Sequence, residues 1–186
     1  MVLVYWLFRK WRPSEVNKVF RKGQLVSAAL YSLGHGANDA QKTMGIIMAL
    51  LVAAGIFDEN VRLSITNWRT LWIILSCQTA MALGTALGGW RIVKTMGMKL
   101  TKLKPVHGFC AENAGAVTIF FATHFGIPVS TTHTISGAIV GVGLTGSSAN
   151  IKWTVAMRIV MAWIVTIPFS AFVSAASFEL IRLIVG

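Results

Sequence analysis

Charge is scarce in this 186-residue chain. Asp, Glu, Lys and Arg make up 12% of it, against roughly 25% in a soluble domain. Acid is scarcer still, with 6 Asp and Glu against 17 Lys and Arg. Cysteine stops at two residues, Cys77 and Cys110, in separate apolar stretches. That excludes a disulfide framework and a zinc pattern, and both read as small buried hydrophobes. No Walker loop, GxSxG elbow or dinucleotide fingerprint occurs, so an ATP-driven pump or a hydrolase lacks its parts and no enzyme is expected. His35, His107, His124 and His133 show no metal-ligand spacing, and no cofactor is implied. The apolar start lacks a basic leader and a small-residue cleavage site, so no signal peptide is expected.

What is abundant is apolar surface. Hydrophobic residues make up 55% of the chain, and the mean hydropathy is +0.67. Disorder is excluded by that alone, a cytosolic enzyme is disfavoured, and an integral membrane protein is implied. A net charge of +11 could suit nucleic acid, but position argues otherwise. Six basic residues lie between Arg9 and Lys22 and five between Arg91 and Lys104, each group beside a long apolar run. This is the pattern of cytoplasmic loops obeying the positive-inside rule, and no nucleic-acid partner is expected.

The spans follow from the apolar runs. Residues 1–8 are too short to cross a ~30 Å hydrocarbon core and read as the end of a truncated span, with an interfacial anchor at Tyr5 and Trp6 as the alternative. Residues 24–56 form a run that would be roughly 50 Å long as one helix. Gly34-His35-Gly36-Ala37-Asn38-Asp39 predicts a break there, followed by a new helix N-terminus. Residues 70–90 are a clean span. Residues 105–146 read as two arms broken at Gly126-Ile127-Pro128, either a re-entrant hairpin or two spans. Residues 147–152 are a short polar loop, and 153–186 form the last span region. The expected fold is an all-α polytopic membrane protein with broken transmembrane helices.

Asp39, Lys42 and Glu112 lie inside apolar stretches. Ionisable groups at that depth are expensive and mark functional sites by default. An ion pair of Lys42 with Asp39 at i,i+3 spacing is the plainer alternative. After the second break come Ser130, Thr131 and Thr132. Helix starts carry unpaired N–H groups and partial positive charge, so hydroxyls there suit either a cap or an anion site. Two breaks in one membrane chain favour the site, because transporter sites are built from discontinuous helices. A faint echo relates Gly34-x-x-Ala37-Asn38-Asp39-Ala40 to Gly108-x-x-Ala111-Glu112-Asn113-Ala114, and hints that Glu112 and Asn113 line the same cavity.

The stretch from Gly34 to Gly45, containing Gly36-Ala37-Asn38-Asp39, resembles the GxND signature of the inorganic phosphate transporter (PiT) family. Pro128-Val129-Ser130-Thr131-Thr132-His133 resembles its PVSTTH motif. The resemblance covers nearly the whole chain, but only the C-terminal repeat of a usual member, which carries two inverted halves. It implies secondary transport of inorganic phosphate, a symport coupled to Na+ or H+, in the plasma membrane or cell inner membrane. Carried over, it assigns phosphate binding to Asn38, Asp39, Ser130, Thr131 and Thr132, with Thr43 on the same helix facing the site. Asn38, Asp39, Lys42, Glu112 and Asn113 become candidates for the coupling ion or the cavity, with Na+ at Asn38 and Asp39. Gln41-Lys42 departs from the form common in animal members and resembles bacterial ones, which leaves the coupling ion open. The implied partners are phosphate, the lipid bilayer, and the missing N-terminal repeat or another copy. Sulfate transport by the same fold, and a non-transporting half that needs a partner repeat, stay as alternatives.

Overall fold

A computed structural model describes residues 1–146 and 151–185. It is all-helical: among the described residues the only strand-like pairing is a single antiparallel bridge, Thr101 to Ile151. The elements are α1 (Val2–Phe8), α2 (Pro13–Ala53), α3 (Trp68–Lys94) with a π-helical turn after it (Thr95–Leu100), α4 (Pro105–His124), α5 (Thr131–Leu144) and α6 (Trp153–Val185). Residues 147–150 of the expected polar loop, and residue 186, lie outside the described residues.

The predicted break in residues 24–56 does not form. α2 runs unbroken for 41 residues, with Pro13 opening it and most of the first basic segment inside it. The glycines serve packing rather than a turn. Gly34 is buried, and a Cβ there would stand 3.3 Å from the Phe120 ring of α4. An interior glycine weakens a helix by about 1 kcal/mol, and the close approach of α4 offsets that. Asn38 and Asp39 spend their side chains on α4 and α5, so neither caps a new helix. The glycines in the left-handed region are Gly55 and Gly126, at φ +69 and φ +67. Each ends its helix in the same way. At Gly126 the N–H of Ile127 donates to Ala122 O and that of Gly126 to Thr123 O; at Gly55 the N–H of Ile56 donates to Leu51 O and that of Gly55 to Val52 O. This is the Schellman pattern, which satisfies the last carbonyls of a helix.

α4 is the central helix and packs on both α2 and α5. Small residues let it in: a Cβ at Gly108 would collide with the Gln24 amide, and one at Gly115 would stand 2.8 Å from Tyr31 Cε2. Ala111, Ala116 and Ile119 fill the rest of the contact. A second buried group, Ala40, Met44, Ile73 and Cys77, joins α2 to α3. Outward faces are strongly apolar: Leu87, Trp90, Ile167, Phe172 and Leu183 are all exposed. Among the described residues two stretches are long and apolar enough to cross a membrane, Trp68–Leu100 and Trp153–Ile184. The first extends the expected span 70–90 at both ends. α6 continues through Pro168.

Candidate functional site

Tyr31, His35 and Asp39 recur at i,i+4 spacing along α2 and Lys42 follows three residues on, which places them on one helical stripe. That stripe meets the first turn of α5. Ser130 caps α5, its Oγ accepting from the His133 N–H and lying 2.6 Å from His133 Nδ1. Three connections clasp the two helices. The Thr131 hydroxyl donates to Asp39 Oδ2 at 3.0 Å. Lys42 Nζ donates to Asp39 Oδ1 at 3.0 Å and to the Val129 carbonyl at 2.6 Å. The Tyr31 hydroxyl donates to the Thr131 carbonyl at 3.1 Å. The Asp39–Lys42 ion pair anticipated from spacing is therefore present. His35 stacks on Tyr31, with its Nδ1 3.4 Å from Asp39 Oδ2.

Asn38 faces α4. Its Nδ2 donates to Thr123 Oγ1 at 3.0 Å, while its buried Oδ1 has no hydrogen-bond partner. Buried side-chain oxygens are nearly always satisfied. An orphan acceptor of this kind is set to receive a proton donor or a cation.

The clasp separates two openings. On one side a cavity of about 870 Å³ runs between α2, α3 and α5, with Tyr31, His35, Thr43, Thr131 and Thr132 on its polar wall and Gly84, Gly88 and Gly89 opposite. On the other, a smaller cavity of about 200 Å³ is bordered by Asn38, Lys42, Thr123 and the Gly126–Pro128 turn. With the His133 N–H taken by the Ser130 cap, the Thr131 and Thr132 N–H groups have no intrahelical acceptors, so the start of α5 offers an anion backbone donors and hydroxyls, with Lys42 nearby.

The structure joins Asp39, Lys42 and Thr131 directly, sets Thr43 and Thr132 with Thr131 on the larger cavity, and sets Asn38 with Lys42 on the smaller one. It sets Ser130 at the cap, exposed and bonded to His133. Glu112 stands apart: it accepts from Ser27 Oγ and from Gln24 Nε2. Ser27 is twelve residues before Asp39, about 18 Å away along α2. Asn113 turns back on its own helix and donates to the Phe109 carbonyl. The echo between the two stretches therefore does not bring Glu112 and Asn113 to the Asp39 cavity. Sequence reasoning missed Tyr31, His35, Thr123, Ser27 and Gln24. The stripe spacing could have found Tyr31 and His35; nothing local marks the others.

Comparison with known proteins bears on what this arrangement serves. A profile described as "Phosphate transporter family" matches residues 7–174. A probable low-affinity inorganic phosphate transporter of Rhizobium meliloti is 53% identical over 175 residues, 94% of this chain and 51% of that protein. One of the same name from Bacillus subtilis is 42% identical over 182 residues, 98% of this chain and 53% of its own length. Sodium-dependent phosphate transporter 1 of Pongo abelii is 33% identical over 171 residues, 92% of this chain and 25% of that protein. The chain spans about half the length of the bacterial relatives. No solved structure matches it. With a profile that covers all but the two ends of the sequence, and relatives that match along most of it, this chain belongs to the phosphate transporter family.

Proposed function

We propose that the chain builds one half of a secondary transporter that carries inorganic phosphate together with Na+ or H+ across the plasma or inner membrane. The observation that carries this reading is the clasp of Asp39 and Lys42 on the first turn of α5. Phosphate entering from the larger cavity meets the free N–H groups of that turn, the hydroxyls of Thr131 and Thr132, and Thr43 across the gap. Ser130 fixes the turn through its cap. Lys42 supplies positive charge from α2.

Asp39 supplies selectivity. Phosphate near neutral pH keeps a proton and can donate it to a carboxylate oxygen, whereas sulfate has none to give. A carboxylate facing a bound anion is a strong discriminator, because an anion with no proton to donate meets only repulsion there. Na+ finds oxygens at Asn38 and Asp39, and Glu112 with Ser27 and Gln24 offers a second oxygen group. The word "sodium-dependent" in the name of the Pongo relative supports the Na+ arm. Opening and closing the clasp exposes the site alternately to its two flanking cavities.

The half-length match supports a second, completing half, and residues 1–186 then form a single membrane domain. α5 has 14 residues, about 21 Å of helix, which is short of a ~30 Å core and favours a re-entrant hairpin with α4.

The test is uptake of labelled phosphate into reconstituted vesicles, with Na+ replaced by choline and, separately, with the pH gradient collapsed. Accumulation lost in one of these two conditions supports symport and names the ion. Flux that only follows the phosphate gradient, with open-pore conductance, would make the protein a channel.

A further inference from the structure

The basic residues of the 91–104 segment do more than cover a flat face. Lys102, Lys104 and Lys152 border a cavity of about 560 Å³, together with His107 and Tyr5. Its walls are built. The Thr101–Ile151 bridge and the bond from the Lys152 N–H to the Leu100 carbonyl, at 2.9 Å, hold Lys152 beside Lys102. The Lys104 N–H donates to His107 Nδ1 at 3.3 Å, which leaves Nε2 as the protonated nitrogen of the neutral ring, a donor. A second cavity of about 260 Å³ shares Tyr5, Lys104 and His107, and its remaining wall is largely apolar, with Val4, Phe8 and Trp11. Arg9 also borders it. No carboxylate lines either cavity, and among the described residues none of these bases is in an ion pair.

The position is as telling as the chemistry. The two membrane-length helices meet here, one ending at Leu100 and the other starting at Trp153. Trp11 and Trp153 are about half exposed beside it, as aromatic side chains are at headgroup depth. An unneutralised cationic compartment shares Tyr5, Lys104 and His107 with an apolar one, where the two membrane-length helices end.

We propose that this double cavity binds an anionic phospholipid. Its phosphate is held by Lys102, Lys104 and Lys152, and the start of an acyl chain lies against Val4, Phe8 and Trp11. Free inorganic phosphate shares the headgroup chemistry but gains nothing from the apolar compartment. A choline headgroup brings its own cation against the lysines.

The experiment is native mass spectrometry of the protein in neutral detergent, with phosphatidylglycerol or phosphatidylcholine added at equal concentration. The phosphatidylglycerol adduct is expected to exceed the phosphatidylcholine adduct by about tenfold, and the Lys102→Gln/Lys104→Gln/Lys152→Gln variant to remove that preference. Lys10→Gln/Lys18→Gln/Lys22→Gln, which removes the same charge from exposed positions outside both cavities, is expected to retain it. Millimolar inorganic phosphate is expected to leave the wild-type adduct in place, a result that does not depend on any variant folding. The proposal is overturned if the cavity variant keeps the preference, if the outer variant loses as much, or if inorganic phosphate displaces the lipid.

Discussion

Thr131→Val isolates the bond that ties α5 to Asp39. Valine keeps the shape of threonine and removes its hydroxyl, so Asp39 Oδ2 loses a donor at 3.0 Å while Oδ1 keeps Lys42. A hydrogen bond to a charged acceptor contributes about 1.5–3 kcal/mol. The Asp39 side chain is 25% exposed, so water replaces part of what is lost, and about 1–2 kcal/mol of destabilisation is expected. Thr131→Ser, which restores the donor, is expected to lose well under half of that. The assay is unfolding in detergent for Thr131→Val, Asp39→Asn and the double variant. Because the two residues touch, their effects are expected not to add, with a coupling of about 1 kcal/mol or more. A coupling within about 0.5 kcal/mol of zero would mean that the two side chains do not share a bond in the folded protein, and the clasp would fall with it.

Three further substitutions probe the packing and the cavity. Gly115→Ala places a Cβ 2.8 Å from Tyr31 Cε2; overpacking of about 1–3 kcal/mol is expected in the same unfolding assay, relieved by adding Tyr31→Leu. Gly36→Ala meets nothing within 4 Å in the unbroken α2, so stability should rise by about 0.5–1 kcal/mol, and a loss would restore the helix break at that point. Gly88→Leu projects into the open space of the larger cavity, and phosphate uptake should fall sharply while size-exclusion profile and melting temperature hold; normal uptake would remove that cavity from the route.

Much of the helical layout was legible because apolar runs of membrane length have few alternatives. The turn at Gly126-Ile127-Pro128 was legible too, since proline and glycine together end a helix and Gly126 takes a positive φ. The same reasoning failed at Gly34, whose role depends on Phe120, a residue 86 positions later. Glycine signals either a turn or a close approach, and local sequence does not separate them. At the site, the Asp39–Lys42 pair was legible from its spacing alone. The meeting of Asp39 with Thr131 was not, since 92 residues separate them; the two motifs suggested it only through their family resemblance. Thr123, Ser27 and Gln24 join Asn38 and Glu112 purely by tertiary contact, and a polar residue on an apolar helix gives no sign of its partner. The echo that linked Glu112 and Asn113 to the Asp39 cavity rested on four common letters and did not survive the geometry.

Asp39 ties α2 to α5, and the proposed selectivity for a protonated anion rests on it. The direct measurement is labelled phosphate uptake by wild type and Asp39→Asn, in cells lacking their own phosphate carriers, with and without excess sulfate. Uptake that resists sulfate in the wild type, and is lost or becomes sulfate-sensitive in Asp39→Asn, is the predicted result. Wild-type uptake with unchanged preference for phosphate in Asp39→Asn would contradict it.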